Sequence, residues 1–342
     1  MAYTTIDDPS EYFQTLLYTG NATDNRNLTN SANAGDFQPD WLWLKERSST
    51  SSHQLHDSNR GTSKALLSDT TAAEDTDANR VQAFQTNGFQ VGTASTVNQN
   101  TITMVAWQWK ANGGTTANNT DGNLTTVVQA NQDAGFSIVL WTSTGSSDTI
   151  GHGLGATPTV IIEKSRSGSS AWTFFTSVGG AKLLSLNTTD AAATSFSGVS
   201  NVGSSIFTDG NGGTDTRVAY CFTPIQGYSK FGIYEGNGNA NGTFVHLGFK
   251  PAWFMCKSID TADSDQGWNI FDTKRDGYNV DNDQLLANDS GAEVTTDRLD
   301  IVSNGVKMRN AGSQTNSAQT YFYMAFAENP FVSSKGVPTT AR

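Results

Sequence analysis

The strongest constraint on this chain is a pattern that occurs three times. A proline, five mostly apolar residues and a lysine stand at residues 39–45, 158–164 and 251–257. A second stretch follows each copy at a similar distance, namely VAWQW at 105–109, VAYCF at 218–222 and MAFA at 324–327. A lead segment that runs into glycine precedes each copy, at 13–18, 136–141 and 231–234. The chain is therefore an internal repeat along nearly its whole length.

The length of the repeat indicates domains. Its period, on the order of a hundred residues, lies far above the roughly 20 to 50 residues of solenoid and propeller repeats. A copy of this length is long enough to fold around a core of its own. We predict three units, at residues 1–112, 113–226 and 227–332, and a polar tail at 333–342.

The apolar runs are typical of strands. They are short, rich in β-branched and aromatic residues and bounded by Gly, Asn, Asp and Ser, as in FSIVLW at 136–141 and TVIIE at 159–163. Dipeptides such as Asn87-Gly88 and Asn304-Gly305 supply the positive φ angles of tight hairpins. The pattern predicts an all-β protein of three tandem antiparallel β-sandwich units.

Composition excludes several classes of protein. Charged residues make up 15% of the chain and the net charge is -11, with no basic cluster, which argues against nucleic-acid binding. The two cysteines, Cys221 and Cys256, lie within apolar strands and do not form a disulfide framework. The first residues are acidic and no apolar run is long enough to cross a bilayer, so we expect neither a signal peptide nor membrane insertion.

A charged pair recurs in two of the units. Asp57 and Arg60 in the first unit correspond to Asp272 and Arg275 in the third. One interpretation is a carboxylate and a guanidinium that bind a sugar at a strand end. The alternative, a structural ion pair that fixes a turn, is favoured because the second unit dispenses with the pair.

Carboxylates and histidines give no signature of catalysis. Asp260, Asp263 and Asp265 form the densest acidic loop, and spaced oxygens of this kind are weak candidates for Ca²⁺, but the loop lacks the EF-hand pattern and a solvated loop is the preferred interpretation. The four histidines form no metal-ligand motif, and no nucleophile or phosphate-loop motif occurs. We therefore predict no enzyme, no cofactor and no metal.

Aromatic residues are the remaining binding candidates, because such rings stack on sugar faces. The tryptophans inside the repeated strands are assigned to the core. The rings that lie nearer to predicted turns are the glycan candidates: Trp141, Trp172, Trp268, Tyr234 and Tyr278.

Several motifs resemble a known group of proteins. FxPDWxWxKxRS at 37–48, HxLxDSxRG at 53–61 and GYSKFGxYxGNG at 227–238 are similar to the repeated β-domain of tail-fibre and other virion structural proteins of aquatic tailed bacteriophages. The resemblance covers essentially the whole chain. It implies lectin-like, jelly-roll β-sandwiches in a virion surface protein that is assembled in the host cytoplasm, and it carries over no catalytic residues.

This resemblance leaves three functions open. The first is a tail-fibre or spike component that contacts host surface glycans, the second is a head or tail decoration protein that stabilises the particle, and the third is a polysaccharide depolymerase. The expected partners are other virion proteins and further copies of the chain in a cyclic homo-oligomer, with a trimer favoured. The unrepeated N-terminal segment, with Tyr3, Tyr12 and Phe13, is the predicted assembly element.

Overall fold

The computed structural model describes residues 3–30, 35–194, 198–263, 265–275, 279 and 281–339, without the side chains of residues 281 and 282. In these ranges nearly all regular structure is strand, and the strands pair antiparallel. The helices of the described part are a 3₁₀ turn at Pro9–Glu11 and α1 at Ser95–Asn98. No described helix has the length and apolar character needed to span a bilayer. The all-β antiparallel prediction is confirmed.

The strands are distributed over the three predicted units as follows. The first unit contains β1 (Phe13–Thr19), β2 (Arg26–Leu28), β3 (Trp41–Glu46), β4 (Gln54–Asp57), β5 (Lys64–Leu67), β6 (Asp75–Thr76), β7 (Val81–Gln85), β8 (Gly88–Val91) and β9 (Thr103–Trp109). The second contains β10 (Ala117–Asn119), β11 (Thr126–Asn131), β12 (Phe136–Thr142), β13 (Asp148–Gly151), β14 (Val160–Ser165), β15 (Thr173–Thr176), β16 (Lys182–Ser185), β17 (Val199–Ser200), β18 (Ile206–Asp209) and β19 (Thr216–Phe222). The third contains β20 (Ser229–Glu235), β21 (Phe244–His246), β22 (Phe249–Ser258), β23 (Asn269–Asp272), β24 (Asp281–Leu286), β25 (Val294–Val302), β26 (Gly305–Met308) and β27 (Thr320–Pro330).

The main sheets of the three units share one strand order. Five strands run β1-β9-β3-β4-β5 in the first unit, β12-β19-β14-β15-β16 in the second and β20-β27-β22-β23-β24 in the third. The repeated proline-to-lysine stretch forms the middle strand each time. The residue two positions after the proline has an equivalent partner in all three sheets: Trp41 lies opposite Trp109, Val160 opposite Phe222 and Trp253 opposite Phe326.

Strand pairing corrects two of the sequence matches in the third unit. Met324 lies opposite Met255, as Trp107 lies opposite Trp43, so MAFA is displaced by two residues from the match read off the sequence. Likewise Ser229, which lies opposite Phe326, is the equivalent of Phe13. Apolar runs of similar composition align almost equally well in neighbouring registers, and only the pairing resolves them.

The three main sheets pack around one common core. Its buried members come from every unit and include Trp41, Trp109, Tyr220, Phe222 and Phe326. The ring of Trp41 stacks on Tyr220 at 4.4 Å between centroids, which joins the first unit to the second. The expectation that each copy has only a core of its own is therefore incomplete.

The opposite face of each main sheet covers a smaller core that belongs to that unit alone. In the first two units a three-stranded sheet closes this core, in the orders β2-β8-β7 and β13-β18-β17. In the third unit the main sheet itself continues through β25, β26 and β21 and curls over it. Strand β3 is buried at every position for this reason. Trp41 and Trp43 point to the common core, and Leu42 and Leu44 point to the smaller core of the first unit.

The N-terminal segment joins the first unit to the third. The Tyr3 hydroxyl donates to the Gly248 carbonyl at 2.5 Å, and Ile6 is buried in the common core. Phe13 stacks on Phe326 at 5.5 Å, and Tyr12 packs edge-on against Tyr228 at 5.9 Å. Tyr3, Tyr12 and Phe13 therefore make contacts within the chain in this structure, and the assembly role expected of them stays a prediction.

Candidate functional site

Buried charged side chains lie at the three junctions between units, beginning with the repeated lysines. Lys45, Lys164 and Lys257 are all buried. The Nζ of each donates to a carbonyl of a neighbouring unit: Lys45 to Ser290 at 3.2 Å, Lys164 to Thr71 at 3.2 Å and Lys257 to Thr189 at 2.9 Å. Burial lowers the pKa of each lysine to about 8. The repeated lysine thus links each unit to the next one around the common core.

Backbone hydrogen bonds repeat the same connection. Glu74 N donates to Arg166 O and Glu293 N donates to Arg47 O, both at 2.8 Å, and Ala192 N donates to Ile259 O at 2.9 Å. In each pair one residue follows the repeated lysine by two positions and the other lies in the facing loop. Glu74 and Glu293 also form ion pairs with their partners, Arg166 and Arg47, at 2.9 and 2.7 Å.

The charged pair of the first unit belongs to the junction with the second unit. The side chains of Asp57 and Arg60 have no solvent exposure and form an ion pair. Arg60 also pairs with Glu74 at 2.9 Å, and the Tyr220 hydroxyl of the second unit donates to Asp57 at 2.7 Å. Burial alone would raise the pKa of Glu74, but hydrogen bonding from Arg166 and the charge of Arg60 outweigh it and hold that pKa below its usual value.

The equivalent pair of the third unit forms the junction with the first. Asp272 and Arg275 pair at 2.5 Å with no solvent exposure, and Arg275 reaches Glu293 at 3.0 Å. Here the donor from the neighbouring unit is the indole Nε1 of Trp107, at 2.9 Å from Asp272. Both pairs therefore support the structural alternative rather than sugar binding, because a glycan cannot reach them.

The third junction replaces the same positions with small or apolar residues. Thr176 and Gly179 stand where the other units have Asp and Arg, and Met324 stands where Tyr220 and Trp107 donate. Ala192 and Ile259 replace the glutamate and the arginine, and both pack against the common core. The third junction thus lacks both the charged groups and the hydrogen-bond donor that pairs with them in the other two. None of these positions therefore carries a buried charge without a partner.

Two of the predicted glycan-binding rings lie in the junctions. Trp172 and Trp268 have no solvent exposure. Their Nε1 groups donate across the junctions, to Leu67 O at 2.8 Å and to Ser185 O at 3.0 Å. The prediction that these rings are available to a sugar is wrong, because both indoles belong to the common core although the loops before them are exposed.

The other glycan candidates are also buried where the structure describes them. Trp141 is 4% exposed, and its Nε1 donates to Asp209 at 3.1 Å. Tyr234 is 6% exposed, stacks on Tyr321 and donates its hydroxyl to Thr315 O at 2.7 Å. Tyr278 lies outside the described residues. The described candidates therefore contribute to packing.

A buried ionic cluster lies inside the second unit. Glu163 and Arg217 form an ion pair, Arg217 also approaches Asp209 at 3.4 Å, and Asn211 donates to Glu163 at 2.6 Å. Burial, aided by the charge of Asp209, raises the pKa of Glu163 to about 7. Leu44 and Cys256 occupy the equivalent places in the other units, so the repeat does not require this cluster.

The weak calcium candidates do not converge. The Asp260 carboxylate accepts from Thr320 N at 2.7 Å, and Asp263 accepts from Asp265 N at 3.1 Å. Within the part of the chain that the structure describes, no three His, Cys, Asp or Glu residues lie close enough to hold a metal ion. Two of these carboxylates accept from backbone N–H groups, one within the loop and one on β27.

Sequence reasoning missed the role of the repeated lysine. A lysine that recurs at the end of three apolar strands was the available signal of a structural role. Burial of both cysteines was expected, and Cys221 and Cys256 are free and buried.

One protein-family model matches the chain, a domain of unknown function, DUF7483, over residues 8–330. None of the curated proteins compared with the chain matches it. The match spans all three units at once, as the common core and the three junctions lead one to expect of a single structural entity. The chain belongs to the DUF7483 family.

Proposed function

We propose that the chain is a non-enzymatic structural protein of a tailed-bacteriophage particle and that it forms part of a tail fibre or spike. The observation that supports this most is the use of buried charge. Buried charged groups connect the three units to each other; they are Lys45, Lys164, Lys257 and the two Asp-Arg pairs. Such an arrangement gives a rigid body with many exposed loops, and the sequence motifs similar to those of virion proteins give the context.

A decoration protein that stabilises the head or tail is the second candidate. The observation that favours it is the burial of Trp141, Trp172, Trp268 and Tyr234, which removes the aromatic residues expected to contact host glycans. A fibre protein of this kind must bind its receptor through other residues. A decoration protein needs only contacts with its neighbours in the particle.

Particle composition tests the proposal. Antibody labelling of phage particles, combined with quantitative mass spectrometry, gives the position and the copy number of the chain. We expect a few copies at the tail tip; a regular distribution over the head would select the decoration role. Absence of the chain from purified particles would overturn the proposal.

Enzymatic activity is tested separately. The purified chain is incubated with host capsule, and release of reducing sugar ends is measured, with a known depolymerase as the positive control. We expect no release above that of buffer. Release that persists after repeated purification would replace the structural function by that of a polysaccharide depolymerase.

A further inference from the structure

An open groove of about 320 Å³ lies between the first and third units. One wall is the edge of β1, at Phe13, Gln14 and Thr15. The other walls come from the third unit and include Ala252, the turn residues Thr273 and Lys274, and Glu328.

A strand of the chain occupies the equivalent place in the second unit. There β11 adds to the edge of β12, with Gln129 opposite Ile138 and Asn131 opposite Phe136. Phe136 and Ile138 are the equivalents of Phe13 and Thr15, because Phe136 lies opposite Phe222 as Phe13 lies opposite Trp109. The groove beside β1 thus corresponds to the space that β11 fills beside β12.

The far wall corresponds as well. The turn of the first unit borders β11: Asn59 donates its amide to Val127 O at 3.0 Å, and the Ser58 hydroxyl bonds the Gln129 side chain at 3.2 Å. Counting from the paired aspartates, Ser58 and Asn59 are equivalent to Thr273 and Lys274. Both walls that hold β11 therefore have counterparts around the groove.

The free edge of β1 offers backbone hydrogen bonds. Lys110 N donates to Tyr12 O at 2.9 Å and Gly20 N donates to Ile102 O at 2.8 Å, which fixes the alternation along the strand. Gln14, Leu16 and Tyr18 direct their backbone groups to β9, and Phe13, Thr15 and Leu17 direct theirs outward. The outward N–H and C=O groups of Thr15 and Leu17 form no hydrogen bond with any residue that the structure describes.

One lysine of the groove, Lys274, can pair with a carboxylate of a bound ligand. Of the two carboxylates that line the groove, Asp8 accepts from Ser10 N at 3.0 Å and Glu328 pairs with Lys250 at 2.8 Å. Lys274 forms no ion pair with a residue that the structure describes, and it replaces the neutral Asn59 of the filled groove. A carboxylate on a bound segment would complement this lysine.

We propose that this groove binds an extended segment of another protein chain, which bears a carboxylate near Lys274 and adds as an antiparallel strand to β1. Backbone bonds to Thr15 and Leu17 supply affinity and the lysine supplies selectivity, as in other complexes formed by strand addition. The inference does not rest on the proposed function, since it is tested on the purified chain.

Two fluorescent peptides serve as probes. One has the sequence of residues 123–133, which contains β11, and the other is the same peptide with Val127→Glu. Fluorescence anisotropy measures their binding to the full chain. We expect both to bind saturably and the acidic peptide to bind more tightly. Absence of saturable binding by both would overturn the proposal.

Three variants of the chain locate the binding. Thr15→Pro removes an outward N–H from an edge strand and leaves the bonds to β9 intact, so it should fold and bind about tenfold more weakly. The matched control, Thr15→Val, keeps the N–H and should bind as the native chain does. Lys274→Asn should abolish the preference for the acidic peptide. Circular dichroism verifies folding; unchanged binding by folded Thr15→Pro, or an unchanged preference in Lys274→Asn, contradicts the site.

Discussion

Replacing Asp57 by threonine tests whether the charged junctions act as matched sets. Threonine is the residue at the equivalent position 176 of the second unit. Asp57 accepts from Arg60 N, from Arg60 Nε and from the Tyr220 hydroxyl, and it has no solvent exposure. Asp57→Thr leaves a buried guanidinium with Glu74 as its remaining ionic partner. Breaking a buried pair from one side costs about 3–5 kcal/mol, and the remaining partner places the expected loss near the lower end.

The chain also specifies the change that should restore stability. Converting all five positions to the residues of the third junction means Asp57→Thr, Arg60→Gly, Glu74→Ala, Arg166→Ile and Tyr220→Met. This variant leaves none of the set buried without a partner. Replacement of a buried ion network by apolar residues of adequate fit is often close to neutral, so we expect it to recover most of the loss.

Urea unfolding, followed by tryptophan fluorescence, gives the free energy of unfolding of each variant. Asp75→Ala is the control, because Asp75 pairs with Arg80 but is 65% exposed; loss of such a pair costs about 1 kcal/mol or less. The reasoning fails if Asp57→Thr is no less stable than Asp75→Ala. It fails equally if the five-position variant is no more stable than the single variant.

Three further predictions follow from the cores and the buried titrating groups. Because the units share one core, calorimetry of the full chain should show a single unfolding transition, and residues 1–112 expressed alone should not fold; separate transitions would contradict the shared core. Burial lowers the pKa of His56 to about 3, so the native chain loses stability as the pH falls from 6.5 towards that value. The free energy of unfolding of His56→Phe relative to the native chain, measured with urea, should therefore rise by about 1.4 kcal/mol per pH unit over this range; a difference independent of pH would refute this. Burial and Asp209 raise the pKa of Glu163 from 4.5 to about 7, so its contribution to stability falls as the pH rises through that window. Glu163→Gln should remove that component, and the difference in unfolding free energy between variant and native chain, measured across the window, checks it; a constant difference would count against it.

The repeat and the strand content followed from the sequence because they depend on local patterns. Proline, apolar residues and lysine recur with fixed spacing, and turn dipeptides bound the strands. The common core did not follow. A strand such as β3, which is buried on both faces, has the same composition whether it packs on its own unit or on a neighbour, so the sequence does not identify the partner surface.

The candidate site was predicted less well than the fold. Trp172 and Trp268 follow small and polar residues, a pattern typical of exposed turns, but both indoles are buried against carbonyls of another unit. Their location depends on contacts between residues about a hundred positions apart, which no local window contains. The Asp-x-x-Arg pairs were anticipated as structural, although their position between two units was not.

The contrast between the three junctions has a consequence for how such a body can change. Identical subunits of a symmetric trimer carry the same residues at every contact, so a substitution acts three times at once. Here the three copies belong to one polypeptide, so the residue at each position can change independently of the residues at the two equivalent positions. The third junction therefore has Ala192, Ile259 and Met324 where the other two have charged or hydrogen-bonding residues. Likewise β11 covers the edge of β12, whereas no strand that the structure describes covers the edge of β1. Three units joined in one polypeptide around a common core can therefore acquire different functions at their three junctions.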